Sequence, residues 1–140
     1  MIPNLLVEGI SRAIRESPAV KAYFVNLMWQ PGETIGFRAS DHVEAINRHA
    51  GGNLLDCIVV NTRAIRPSLL RRYEAQRSKP VVNDTKRLAE MGVAVAEADL
   101  LSQSSIVRHD PEVTGRIAIS LAVRGRAKRN KLLKMKGVHG

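Results

Sequence analysis

Near the start of the chain Leu5, Leu6, Val7, Ile10, Ala13 and Ile14 recur at helical spacing and Ser17 and Pro18 end the pattern, so residues 4–16 are predicted as a helix. The period then changes. Residues 20–28 form an apolar run broken mainly by Lys21 and Asn26, which predicts a strand buried on both faces of a parallel sheet. Pro31, Gly32 and Gly36 put a loop over 29–39, and Ser40 is expected to cap a helix whose apolar face is Val43, Ala45, Ile46 and Ala50. Gly51 and Gly52 end that helix. The alternation continues with a strand over 55–60, a helix over 68–76, a short strand at 81–82, a helix over 85–91 and a strand over 93–96. Pro111 opens a last helix that passes through Ile117, Ile119, Leu121 and Ala122 into a basic segment.

Strands alternating with helices across short connections predict an α/β fold: a Rossmann-like parallel sheet with helices on both faces. Residues 1–123 are read as its carboxy-terminal portion and residues 124–140 as a basic tail. The amino-terminal half that would bind nucleotide phosphate is missing from the pattern. The chain opens in a helix with no strand before it, and neither GxGxxG nor GxxxxGK[ST] occurs in the 140 residues. Such a chain is expected to need that missing half or to self-associate, because a sheet edge and an apolar face would otherwise stay open.

Charge changes this picture less than its total suggests. Of the net +9, seven basic residues and no acidic ones fall between Arg124 and Lys136, which leaves fifteen basic against thirteen acidic residues, a net of +2, in the first 123. The body is nearly neutral. Without an interleaved aromatic residue the tail lacks a stacking platform for single strands, so it is read as a solvated, partly helical segment rather than a nucleic-acid or anionic-lipid contact. No run reaches the roughly eighteen apolar residues of a membrane span and no signal peptide is apparent, so a soluble cytoplasmic protein is expected. Cys57, the only cysteine, lies in LLDCIVV and is expected to be a buried thiol.

Ligands of open α/β sheets bind beyond the carboxyl ends of the strands, and this ranks the candidates. The richest segment is NLMWQPGETIGFRASDH, residues 26–42. Asn26 and Gln30 carry amides suited to a base or sugar edge, Gly32 and Gly36 allow close backbone approach, and Glu33 and Asp41 could bind hydroxyls or a hydrated Mg²⁺. An ordinary turn followed by a capped helix accounts for the same residues equally well. Asn61, Arg63, Asn83, Asp84, Glu97 and Asp99 stand at the other strand ends. Tyr73 could be a core residue of its helix. Arg108, in SSIVRHDP, could reach a phosphate, and Asp110 suits the N-cap before Pro111. His42, His49 and His109 make no metal-ligand or triad pattern.

These segments taken in order resemble a known family. IPNLLVEGI at 2–10, VNLMWQPGET at 25–34, SDHVEAI at 40–46, VVNTR at 59–63, RYEAQRSKPVV at 72–82 and EADLL with VRHDP within 97–111 are similar to the carboxy-terminal half of the gluconeogenesis factor family, the YvcK-type relatives of 2-phospho-L-lactate transferase. The resemblance implies a nucleotide site of the UDP-N-acetylglucosamine type and a regulatory role in cell shape and gluconeogenic growth, without catalysis. The alternative it implies is a Mg²⁺-dependent transfer of phospholactate to a deazaflavin acceptor. Carried over by motif, Asn4, Asn26, Gln30, Gly32, Glu33 and Thr34 would line the cleft, with Tyr73 and Arg108 as the contacting aromatic and cation.

Overall fold

The computed structural model describes the backbone of residues 2–137 and the side chains of residues 2–130. Its elements run α1 (Ile2–Leu5), α2 (Ile10–Glu16), β1 (Ala22–Phe24), α3 (Ala39–Ala50), β2 (Cys57–Asn61), α4 (Pro67–Glu74), α5 (Thr85–Glu90), β3 (Ala94–Ala98) and α6 (Pro111–Gly137). The three strands form one parallel sheet in the order β1-β2-β3, with Tyr23 opposite Ile58 and Val59 opposite Ala96. Every connection is a crossover through helix, as parallel pairing demands.

The central strand explains its own composition. Ile58, Val59 and Val60 are 0–1% exposed because both faces of β2 are covered. Ile58 and Val60 pack with Val43 of α3 and Leu88 of α5, whereas Val59 packs with Leu69 of α4 and meets Ile117 and Leu121 of α6 on the other side. The expected layering is therefore present. A third cluster, Leu5, Ile46, Ala50 and Leu54, seats α1 and α2 on α3.

Four local expectations are corrected. The single helix over 4–16 is two, because Gly9 adopts a left-handed φ of 82° and turns the chain. Three successive apolar residues cannot all face inward on a helix, and Leu6 and Val7 are exposed while Leu5 is buried. The strand over 20–28 is regular only through Phe24. Leu27 and Met28 are buried but leave β2 to pair with the 79–82 segment, through Met28 opposite Pro80 and the Val81 amide on the Leu27 carbonyl at 3.1 Å. For the same reason 81–82 is an isolated bridge region, with Val82 opposite Arg38, and not a strand of the sheet.

Ser40 is the fourth correction. Arg38 is the N-cap of α3, and its backbone amide donates to Asp41 Oδ2 at 2.7 Å. Ser40 lies inside the first turn, 4% exposed, where its amide and hydroxyl donate to the two carboxylate oxygens of Asp84 at 3.0 and 2.5 Å. Asp110 does cap α6, accepting from the amides of Glu112 and Val113 at 3.0 Å each. Cys57 is buried, and burial with the neighbouring Asp56 carboxylate pushes its thiol pKa up, away from reactivity. No helix of the described residues is long and apolar enough to cross a membrane. Arg124, Arg126, Lys128 and Arg129 continue α6, while the side chains of Lys131, Lys134 and Lys136 lie outside the described residues.

Candidate functional site

The residue that follows β1 by two positions, Asn26, sits where the chain departs from the sheet. Its side-chain amide donates to Gln30 Oε1 at 2.9 Å. Gln30 begins a closed turn: its carbonyl accepts from the amides of Glu33 and Thr34, and its own amide donates to Thr34 Oγ1 at 2.9 Å. Gly32 at φ 83° is what lets the chain reverse there. Trp29 fixes the base of the turn, donating Nε1–H to the Phe37 carbonyl at 2.9 Å and accepting from Ser78 Oγ at 2.6 Å on its own carbonyl.

Facing this turn is the loop between β3 and α6. It is tied down from several directions. Its first residues are held by Asn61, whose Oδ1 accepts from the Leu100 amide at 3.0 Å. Arg66 and Arg72 donate to the carbonyls of Ser104 and Ser105 at 2.6 and 3.3 Å. Tyr73 accepts the Val107 amide on its hydroxyl at 3.0 Å, and His109 donates Nε2–H to the Val25 carbonyl at 3.1 Å. Between these anchors Arg108 is exposed, and its guanidinium makes no hydrogen bond or ion pair among the described residues.

Turn and loop enclose a cleft of about 510 Å³ that gathers Asn26, Gln30, Glu33, Tyr73 and Arg108 with Trp29, Gln76, Ser78 and His109. Two smaller hollows adjoin it. One of about 320 Å³ shares Asn26, Gln30 and Glu33 and adds Thr34, Tyr23, Phe37 and His42. The other, about 270 Å³, shares Asn26 and adds Asn61, Arg63 and Asn83 at the β2 end. Asn26 borders all three. Of the residues singled out in the sequence, five meet in the main cleft and Thr34 in its neighbour. Gly32 shapes the turn but lines neither, and Asn4 is exposed on α1, outside the hollow that its neighbours Ile2 and Pro3 help line.

Sequence reasoning missed Ser78, Gln76 and the arginine clamps. Ser78 offers no signal in its own neighbourhood, since only the pairing of 27–29 with 79–81 brings it to the cleft. Arg66 and Arg72 reach the loop from 38 and 33 residues away, which no local pattern signals. The pair offered for Mg²⁺ does not come together: Glu33 lines the cleft, and Asp41 lines a surface hollow with Ser40, Glu44 and Asp84. Among the described residues no group of three His, Cys, Asp or Glu could hold a metal ion, and Glu33 is the one carboxylate of the offered pair at the cleft.

Burial sets the electrostatics of His109 in the cleft and of His42 in the adjoining hollow. His42 is 5% exposed, contacts the Tyr23 hydroxyl through Nδ1 at 3.3 Å and has no partner at Nε2, while Tyr23 itself is pushed up to about 12 by burial. Desolvation lowers the pKa of His42 against the raising effect of Asp41, and lowers that of His109 against its bond to Val25. Both are therefore neutral where an ordinary histidine near 6.5 begins to charge. Their contribution to stability is fully present above about pH 6.5 and is lost as pH falls through the depressed folded values. Urea midpoints measured at pH 7.5 and 5.5 should show this fall, and His109→Gln, whose amide can still donate to Val25, should reduce it.

Against known proteins, residues 1–101 match the family model for 2-phospho-L-lactate transferase CofD. The chain is similar to the gluconeogenesis factor of Bacillus subtilis, 36% identical over 122 residues, which cover 86% of this chain and 38% of that protein. It is 39% identical over 111 residues to the gluconeogenesis factor of Halalkalibacterium halodurans, covering 79% and 34% respectively. A crystal structure of a UPF0052-family protein from Bacillus halodurans superposes with a TM-score of 0.80 at 35% identity, covering 84% of this chain and 38% of that one. The chain thus spans little more than a third of the length of these relatives. On the matched residues, the identity and the superposed fold together, it belongs to the CofD family and stands with the gluconeogenesis factors in it.

Proposed function

We propose that this chain forms one wall of a nucleotide-sugar site of the UDP-N-acetylglucosamine type, in a non-catalytic cytoplasmic regulator of cell shape and gluconeogenic growth. The observation that carries the reading is Arg108. An unpaired guanidinium on a loop clamped by Tyr73 and His109, beside a cleft at the carboxyl ends of parallel strands, suits a diphosphate. The amides of Asn26 and Gln30 suit sugar or base edges, and Glu33 suits a hydroxyl. Because the sequence holds no glycine-rich phosphate loop, this reading assigns the opposite wall to another polypeptide segment or to a second copy of the chain.

Calorimetry with UDP-N-acetylglucosamine tests it, on this chain and on a full-length family member carrying these residues. Arg108→Ala is expected to weaken binding on the order of ten- to a hundredfold, the range for a lost charge-assisted hydrogen bond. Tyr73→Phe should weaken it less, by releasing the Val107 amide alone. No binding in either protein, or affinity indifferent to Arg108→Ala, would sink the reading.

The match to the CofD model favours a second reading, transfer of phospholactate to a deazaflavin acceptor. For its Mg²⁺ the described residues offer Glu33 at the cleft and no group of three protein ligands. Formation of the phospholactyl product by the full-length family member would establish it, and absence of product with both substrates present would remove it.

A further inference from the structure

The hollow of about 270 Å³ at the carboxyl end of β2 opens from the main cleft, with which it shares Asn26 and Leu27. Because β2 is paired on both sides, by β1 and by β3, this hollow sits at the middle of the sheet. Its floor is aliphatic: Val25, Leu27, Ile65 and Val81 are 2–9% exposed. Its polar side chains are Asn26, Asn61, Asn83 and Arg63. They are not equally free. Asn61 is committed to the fold, accepting from the Arg63 and Leu100 amides at 3.2 and 3.0 Å and donating to the Arg63 carbonyl at 2.7 Å. Asn26 and Asn83 each donate once, to Gln30 Oε1 at 2.9 Å and to the Asn61 carbonyl at 2.7 Å, and among the described residues neither Oδ1 accepts a hydrogen bond. Arg63 meets Asp99 at 3.3 Å through one nitrogen and keeps further N–H donors.

We infer that this hollow receives the sugar of a nucleotide-sugar, an uncharged pyranose whose hydroxyls donate to the free oxygens of Asn26 and Asn83 and accept from Arg63, with an acetamido methyl on the aliphatic floor. The inference rests on the reading of the main cleft as a nucleotide-sugar site. Size supports a single ring: the volume lies just below the range of about 300–1,000 Å³ that holds a whole small-molecule ligand. No aromatic side chain lines the hollow, so a planar base would find no stacking partner there. Asp99 answers the charge of Arg63, so the rim carries no unpaired cation for a phosphate, in contrast to Arg108. The sugar of such a ligand is bonded directly to its diphosphate, and a sugar subsite must therefore adjoin the phosphate site. Asn26 and Leu27, which border both spaces, meet that requirement.

The test compares UDP with UDP-N-acetylglucosamine by calorimetry, on this chain and on a full-length family member carrying these residues. The sugar nucleotide is expected to bind about tenfold tighter than UDP, the effect of one or two net hydrogen bonds. Ala64→Trp, which fills the hollow from an exposed position, should erase that margin while leaving UDP affinity and thermal unfolding unchanged. Asn83→Leu, which removes one free oxygen from an exposed site, should reduce the margin severalfold, and it decides alone if Ala64→Trp does not fold. Arg108→Ala should weaken both nucleotides alike. Equal affinity for the two nucleotides, or a margin that survives Ala64→Trp and Asn83→Leu, overturns the inference and leaves the nucleotide reading standing. Loss of UDP affinity in folded Ala64→Trp would mean that the hollow holds part of the nucleotide, and overturns it too. If neither nucleotide binds either protein, the reading of the cleft falls and the inference with it.

Discussion

Asp84→Ala should destabilise the fold by about 2–4 kcal/mol, the range expected when hydrogen bonds to a charged acceptor are lost and their donors stay buried. The two oxygens of Asp84 accept the amide and the hydroxyl of Ser40, and Ser40 is 4% exposed, so water cannot readily replace them. Next to this pair the Ala39 amide donates to the Val82 carbonyl at 2.9 Å. The 82–84 segment thus fastens the first turn of α3, and α3 carries Val43 and Ile46 into two of the three core clusters. Asp84→Asn keeps one acceptor oxygen and should cost clearly less. In urea denaturation, Ser40→Ala should cost less than Asp84→Ala, and the double variant should fall well short of the sum, because the singles share one interaction. A loss under about 0.5 kcal/mol for Asp84→Ala, the level of an unremarkable surface change, would mean that the contact is absent in solution.

The same contact shows which parts of the fold the sequence discloses. Continuous apolar runs and helical periodicity are local, so the three parallel strands and the helices of both layers are legible from residue types alone. What local patterns cannot reveal is a partner distant along the chain. Ser40 has the right chemistry for an N-cap, and only the arrival of Asp84 from 44 residues away converts it into a buried donor. Leu27 and Met28 belong to the apolar run that predicts a strand, yet residues 79–82 outcompete β2 for their backbone. Gly9 was readable as a break, and the stripe of Leu5, Leu6 and Val7 concealed it.

The site divides along the same line. Asn26, Gln30 and Glu33 lie within one short segment that a turn must fold back on itself, so their proximity follows from Pro31 and Gly32. The meeting of that turn with Tyr73 and Arg108 does not follow from spacing. It depends on Tyr73 reaching the Val107 amide and His109 reaching the end of β1, contacts 34 and 84 residues apart. Residue type and position single out Tyr73 and Arg108, the family resemblance assigns both to the cleft, and the geometry supplies the reason they sit together.

Leu100→Ala is expected to have the largest effect of any single truncation near the site, about 2–5 kcal/mol out of a total stability on the order of 5–15 kcal/mol. Leu100 is 0% exposed and packs among Leu27, Met28, Val59, Ile65 and Leu69, directly under the departure point of the Arg108 loop. Its backbone closes that loop at both ends, since its amide donates to Asn61 Oδ1 and its carbonyl accepts from the Asp110 amide at 2.7 Å. A void here should therefore do more than lower global stability. It should let the loop open separately from the sheet, because the clamps at Ser104, Ser105 and Val107 are exposed or half-buried and individually weak. Ile58→Ala provides the comparison, being equally buried on the opposite face of β2 and remote from the loop. Both variants should shift the urea midpoint by similar amounts. Amide exchange at Val107, in conditions where both remain folded, should be faster in Leu100→Ala than in Ile58→Ala. Equal exchange in the two would mean that the loop is held by its surface clamps alone, and that the core beneath Arg108 plays no part in positioning it.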